Sequence, residues 1–283
     1  MNKLISQVAL PYKSIRGSIS DRQRQSIQLV DHLYRDLMPK FKREQLPVEQ
    51  LQISIDNLLQ KRIKIIVKNN TDPEIFGGSD INYSPISDSI TATTLEVPIF
   101  KKKIHISNLI TILHEFQHLS DQLFHPKYLG RNQFMYRNEL YSDKYNKLYD
   151  NFIYCREYAV TPKEKQQVIK QLEYKIRKFL KGLSPENKVN YLQDTRYTLM
   201  MEDQAYHTQR KYAKKLNKKH LPILEEDLDN ENKKHMFTEK IELLNKLIME
   251  IIKKERGKHA AKLKKTKVCK DTLTLHQQPF QKQ

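Results

Sequence analysis

Cysteine is scarce: the chain has two, Cys155 and Cys269, far apart and in no Cys-x-x-Cys spacing. That excludes a disulfide scaffold and a cysteine-built zinc site, and makes a reducing compartment the default expectation. Glycine is scarce too, with six residues, and none forms a phosphate-cradling loop. No internal repeat is present. No stretch approaches the ~20 apolar residues of a membrane span. The start, Met1 to Pro11, lacks the continuous apolar run of a secretory signal. The expectation is a soluble, cytoplasmic chain, with export by some other kind of signal left open.

Charge, by contrast, is abundant. Lys and Arg number 51 against 33 Asp and Glu, a formal net charge of +18, and charged residues make up 30% against 38% hydrophobic. A chain of 283 residues is long enough for a sizeable core without disulfides. This balance predicts long, solvated helices and a loose tail. It also admits a second class of function, a basic nucleic-acid binder, with Lys214-Lys215, Lys218-Lys219 and Lys253 to Lys267 as its patches. Against that reading, the lysines are spread along the chain, arginine is the minority cation, and no nucleic-acid motif appears.

Apolar periodicity divides the chain into four stretches. Residues 1–60 read as an N-terminal helical prelude, with one helix capped by Ser20-Asp21 and carrying Ile27, Val30, Leu33 and Leu37, and another opened by Pro47. Residues 61–216 form the core. Its first part has two strand-like runs, Ile63 to Val67 and Ile90 to Phe100, punctuated by Asn70, Asp72-Pro73 and Gly77-Gly78. Its second part reads as helices, Phe134 to Ala159, Lys163 to Leu183 and Pro185 to Leu216. A C-terminal helical segment covers 217–254, and 255–283 reads as a disordered basic tail.

Within the core, Asn108 to Leu123 is an amphipathic helix that contains His114-Glu115-Phe116-Gln117-His118. Residues four apart lie one above the other on a helix, so His114 and His118 can direct two imidazole nitrogens at one point. That donor pair suits Zn²⁺. Glu115 is rotated by about 100° from His114; it cannot easily ligate the same ion but can reach a water beside it, which makes it the candidate general base. Ser107 is positioned to cap the helix, and Leu109, Ile110, Leu113, Phe116 and Leu123 supply its apolar face.

The window Thr111 to Leu119 resembles the extended HExxH signature of zincin metallopeptidases. Ser120 departs from it, standing where those families carry an apolar residue. The resemblance implies an α+β zincin-like domain, with a small β-sheet before the active helix and mostly helix elsewhere. It implies hydrolysis of peptide bonds through a zinc-activated water. It also implies an edge strand that pairs with an extended substrate, expected here at Thr93 to Val97.

A catalytic zinc needs a third protein ligand. His125 comes one residue late for a histidine-only triad, and the chain lacks that class's glycine turn. Glu139, in Asn138-Glu139-Leu140-Tyr141-Ser142-Asp143, resembles the ligand stretch of thermolysin-like peptidases but sits on a polar helical face. Glu157 lies on a more apolar stripe. Glu202 is preferred, because it interrupts a stripe of Leu192, Thr195, Leu199 and Tyr206, where a carboxylate should be paired or metal-bound. Glu202-x-x-Ala205 also resembles the third-ligand helix of gluzincin-type families, with Glu139 and Glu157 as alternatives. Tyr206 would then stand beside the metal, its hydroxyl placed to stabilise an oxyanion. The expected partner is a peptide or protein substrate. The remaining alternative is a zincin-like domain without catalysis, used as a binding module.

Overall fold

The computed structural model describes residues 21–59, 65–70, 77–84, 89–124, 161–223 and 236–275. The architecture is α+β, mostly helical with a small amount of sheet. In chain order the elements are α1 (Asp21–Leu37), β1 (Gln45–Pro47), α2 (Val48–Leu58), β2 (Ile65–Asn69), β3 (Gly78–Ser84), β4 (Ser89–Val97), β5 (Lys103–His105), α3 (Leu109–Phe124), α4 (Pro162–Leu180), α5 (Pro185–Asn217) and α6 (Phe237–Leu275).

Two apolar cores divide the work of holding these elements. The first joins Leu33 and Leu37 of α1, Leu51 and Ile55 of α2, Ile65 and Leu95 of the sheet, Leu113 and Phe116 of α3, and Tyr212 and Leu216 near the end of α5. Each such side chain, fully buried, contributes about 1.5–3 kcal/mol. This core runs across the boundary expected at residue 60, because the apolar stripes of α1 and α2 are covered by α3, the sheet and the end of α5. The second core packs Leu172 and Ile176 of α4 and Leu192 and Leu199 of α5 against Leu244 and Leu247 of α6. Helix α5 belongs to both, and between its two apolar contacts it turns Glu202, Thr208 and Gln209 towards α3.

The three-stranded sheet has the order β2-β4-β3. Strand β2 runs parallel to β4, with Ile65 opposite Thr93 and Val67 opposite Leu95. Strand β3 runs antiparallel on its other side, with Ser79 opposite Leu95. Thr93 to Val97 is therefore the middle of the sheet and not the edge that the sequence suggested. Thr93, Leu95 and Val97 are each wholly buried, as expected of a strand with a neighbour on both sides and helices against its inner face. Strand β3 was read as turn punctuation because of its glycines. The outer edge of β2 is closed by a side chain, since Gln52 Nε2 donates to the Ile65 carbonyl at 2.6 Å and Gln52 Oε1 accepts from Val67 N–H at 3.1 Å. Among the described residues no strand pairs with the outer edge of β3.

A separate ribbon pairs β1 with β5. It follows the turn Phe100 to Lys103, closed by reciprocal backbone hydrogen bonds of 2.9 Å, with Lys101 and Lys102 at φ of 48° and 60°. Both central residues are left-handed, a conformation that favours Asn-Gly. Replacing Lys101-Lys102 by Asn-Gly is expected to stabilise the fold by about 0.5–1 kcal/mol, net of the extra freedom glycine gives the unfolded chain. Thermal or urea unfolding checks it, and a lower midpoint would show that the lysines hold the turn.

The later helices begin where their residues predict. Thr161 closes a reciprocal capping box, accepting from Glu164 N–H at 3.2 Å while its own N–H donates to Glu164 Oε2 at 2.8 Å, and Ser184 caps α5 ahead of Pro185. Part of the charge excess goes into ion pairs across α4 and α6, Arg177 to Glu250 at 2.7 Å and Lys246 to Glu173 at 3.0 Å. Such exposed pairs contribute about 0–1 kcal/mol each. The stretch from 255 expected to be a disordered tail is helical as far as Leu275. Its Ala260-Ala261, leucines and lysines are strong helix formers, so α6 continues without needing an apolar stripe. No helix among the described residues is long and apolar enough to cross a membrane.

Candidate metal centre

Helix α3 is the most deeply buried element of the first core: Leu109, Ile110, Ile112, Leu113, Phe116 and Leu119 are all wholly buried. Its entry is set by His105, which caps the preceding turn of 3-10 helix by accepting from Ser107 N–H at 3.3 Å. Ser107 lies inside that turn and so is not itself the cap.

With α3 fixed, His114 and His118 project from one side. Their rings stand edge to face at 4.9 Å, and their Nε2 atoms are 3.2 Å apart. Helix α5 crosses them and brings Glu202, whose Oε1 lies 3.6 Å from His118 Nε2 and whose Oε2 lies 4.0 Å from His114 Nε2. Three ligand atoms at about 2.0–2.2 Å from one tetrahedral zinc would lie roughly 3.3–3.5 Å from each other. The two imidazole nitrogens, at 3.2 Å, meet that spacing, and the Glu202 oxygens, at 3.6 and 4.0 Å, stand up to about half an ångström outside it. Among the described residues, His114, His118 and Glu202 form the group of metal-ligating side chains close enough to share an ion.

The protonation states favour the same use. Burial pushes His118 down to about 4, so at neutral pH its ring is uncharged and offers a lone pair. His114 Nδ1 sits 3.0 Å from Gln209 Oε1. An amide oxygen only accepts, so the proton of a neutral His114 resides on Nδ1 and Nε2 keeps its lone pair, facing His118 Nε2. Burial pushes the Glu202 carboxyl up, with the neighbouring His114 pulling the other way. A carboxylate held at 16% side-chain exposure beside the uncharged His118 ring is costly unless a positive charge compensates it. No family model, curated protein or solved structure matches the chain. What the cluster can do is therefore a matter of its own atoms.

Glu115 points elsewhere, towards β3. Ser79 Oγ donates to Glu115 Oε2 at 3.1 Å. Burial pushes Glu115 up to about 7, the Ser79 hydrogen bond pulls it down, and the nearby Glu202 charge pushes it up. The strand can come this close because Gly77 has no side chain. A Cβ there would lie 2.6 Å from Thr111 Cγ2 and 3.1 Å from Glu115 Cγ.

Tyr206, one turn beyond Glu202, sets its ring edge-on to His114 at 5.0 Å between centroids, with Phe237 of α6 on its other side at 5.7 Å. Ala205 is wholly buried between the helices. Glu139, Glu157 and His125 lie outside the described residues. Three contributors escaped the sequence reading. Gln209 follows Glu202 by seven residues and so shares its face, which was the available signal. Ser79 and Gly77 had a weaker one, the alternation of Ser79, Ile81 and Tyr83 after Gly77-Gly78.

Proposed function

We propose that the protein is a zinc-dependent metallopeptidase of gluzincin-like, zincin type, in which His114, His118 and Glu202 hold Zn²⁺ and Glu115 is the general base. The observation that carries this reading is the convergence of two imidazole nitrogens and one largely buried carboxylate within 4.0 Å of each other, with a second carboxylate, Glu115, next to His114 on the helix of the histidines. A zinc ion held there would supply Lewis acidity, acidifying a water molecule and polarising a carbonyl. The chain's own groups do the rest. Glu115 Oε2 is engaged by Ser79, which leaves Oε1 to take the proton of the attacking water and later deliver it to the departing amine nitrogen. Tyr206 directs its hydroxyl at the oxygen that becomes negative as the carbonyl is attacked.

The substrate is an extended peptide segment added to the outer edge of β3, in place of the Thr93 to Val97 edge first expected. That strand is the one beside Glu115, and its neighbour edge on β2 is already closed by Gln52. Backbone pairing would fix the scissile carbonyl relative to the metal, and side-chain recognition would alternate along the strand.

The test is metal content and cleavage together. Protein purified without chelator is expected to carry one zinc per chain and to cut a mixed peptide library. Chelation should stop cleavage and stoichiometric zinc restore it. Zinc-loaded protein that cuts no peptide would sink the peptidase reading in favour of a binding module, and absence of zinc would sink the metal site.

Gly77 gives a second expectation. Gly77→Ala forces either β3 or Glu115 to move, because Thr111 is β-branched and stiff at χ1. A misplacement of about 1 Å near the reacting groups can lower turnover about 10²-fold, with zinc content unchanged. Wild-type turnover in that variant would show that β3 has room to spare.

A further inference from the structure

Helix α3 carries a second i to i+4 pair beside the histidines. Gln117 and Asp121 are offset from His114 and His118 by three residues, hence turned about 60° around the helix, and they too face α5. Asp121 Oδ1 accepts from Ser26 Oγ of α1 at 2.5 Å, from Gln117 Nε2 at 2.9 Å and from Gln204 Nε2 at 3.2 Å. Gln117 Nε2 also donates to Ser26 Oγ at 2.7 Å, and Gln117 Oε1 accepts from Thr208 Oγ1 at 2.9 Å. Gln117 and Ser26 are wholly buried, and Asp121 and Thr208 are each 5% exposed. Ser120, the departure from the zincin pattern, is wholly buried against α1, its Oγ 3.4 Å from the Ser26 carbonyl.

We propose that Gln117 and Asp121, with Ser26, Gln204 and Thr208, are positioning residues that lock the register of α3 against α5 and so set zinc affinity. The proposal rests on the metal reading above. The two ladders lie side by side between the same two helices: His114 and His118 with Glu202 and Gln209, and Gln117 and Asp121 with Gln204 and Thr208. Apolar side chains would hold these helices together as firmly, but their attraction is non-directional and tolerates sliding and rotation. Hydrogen bonds between buried groups do not, since any slip leaves an unsatisfied donor or acceptor. A metal site needs its ligands within about 0.5 Å, a tolerance that an apolar seam by itself does not enforce.

The chemistry of Asp121 fits an acceptor rather than a counter-charge. Burial pushes its carboxyl up to about 7, with the Ser26 and Gln117 hydrogen bonds pulling the other way. Three donors converge on one oxygen, and an asparagine would keep that oxygen.

The experiment measures zinc affinity by chelator competition, and the visible spectrum of the cobalt-substituted protein, for wild type, Gln117→Met, Thr208→Val and Asp121→Asn. Circular dichroism and melting of the metal-free proteins report folding. Gln117→Met, folded and melting near wild type, is expected to bind zinc about 10–100-fold more weakly, the range for losing a partner that orients a ligand, with a weakened tetrahedral cobalt spectrum. Asp121→Asn should bind within about twofold of wild type. If Gln117→Met does not fold, Thr208→Val, which exchanges a hydroxyl for a methyl, carries the same expectation in smaller degree. A folded Gln117→Met or Thr208→Val with wild-type affinity and spectrum overturns the lock alone. Asp121→Asn binding as weakly as Gln117→Met also overturns it, because charge would then be what matters. A wild-type chain that binds no zinc overturns the metal reading and the lock with it.

Discussion

Glu115→Gln is expected to keep zinc and lose peptide cleavage by about 10²–10⁴-fold, the usual contribution of a positioned acid–base group. That loss corresponds to about 3–5 kcal/mol of transition-state stabilisation. The amide has the shape of the carboxylate and can still accept from Ser79, whose Oγ is 3.1 Å away, so β3 and α3 need not move. It has no basic oxygen to receive a proton. Because Glu115 faces the strand and the three ligands face each other, the metal site loses nothing. Turnover that survives in Glu115→Gln would remove this residue as base. Zinc analysis on the same preparation separates that outcome from a damaged site.

Glu202→Ala should do the reverse of a purely catalytic lesion and empty the site. Removing one of three protein ligands costs more affinity than the 10–100-fold typical of an outer-shell partner. The stability of the variant is expected to cross that of wild type. Without metal, wild type holds a largely buried carboxylate that burial disfavours and that, among the described residues, His114 favours. Deleting that carboxylate relieves desolvation, so metal-free Glu202→Ala should melt at or above metal-free wild type. With saturating zinc the order inverts, since wild type gains RT ln(1 + [Zn]/Kd) and the variant gains little. Melting curves with and without zinc read both signs. A variant that keeps stoichiometric zinc would hand the third position to another carboxylate, Glu139 or Glu157.

Several features were legible before any coordinates because they are local. HExxH on an apolar helix fixes two imidazoles on one face whatever surrounds it, since only helical periodicity is involved. Glu202 was legible for a different reason: a carboxylate inside an apolar stripe is costly unless compensated, and the stripe is visible in Leu192, Thr195, Leu199 and Tyr206. The helices expected from Lys163 and from Pro185 were legible too, and they begin at Pro162 and Pro185. Ile90 to Phe100 has the composition of a strand, but composition says how buried a strand is and not which neighbours it has. Its position in the middle depends on β2 and β3, and β3 is masked by Gly77-Gly78 at its start, of which Gly77 leaves room for Thr111 and Glu115.

The chain by itself determined the donor chemistry: two histidines at one helical turn, a carboxylate beside the first of them, a second carboxylate on a later helix, and helices long enough to carry a large charge excess. Only the tertiary structure decided which groups meet. Gln209 under His114, Ser79 on Glu115 and the buried ladder of Gln117 and Asp121 join residues 36 to 95 positions apart. Helical and strand periods specify which face a side chain occupies, but the register between two faces is set by packing and directional hydrogen bonds, which no single segment encodes.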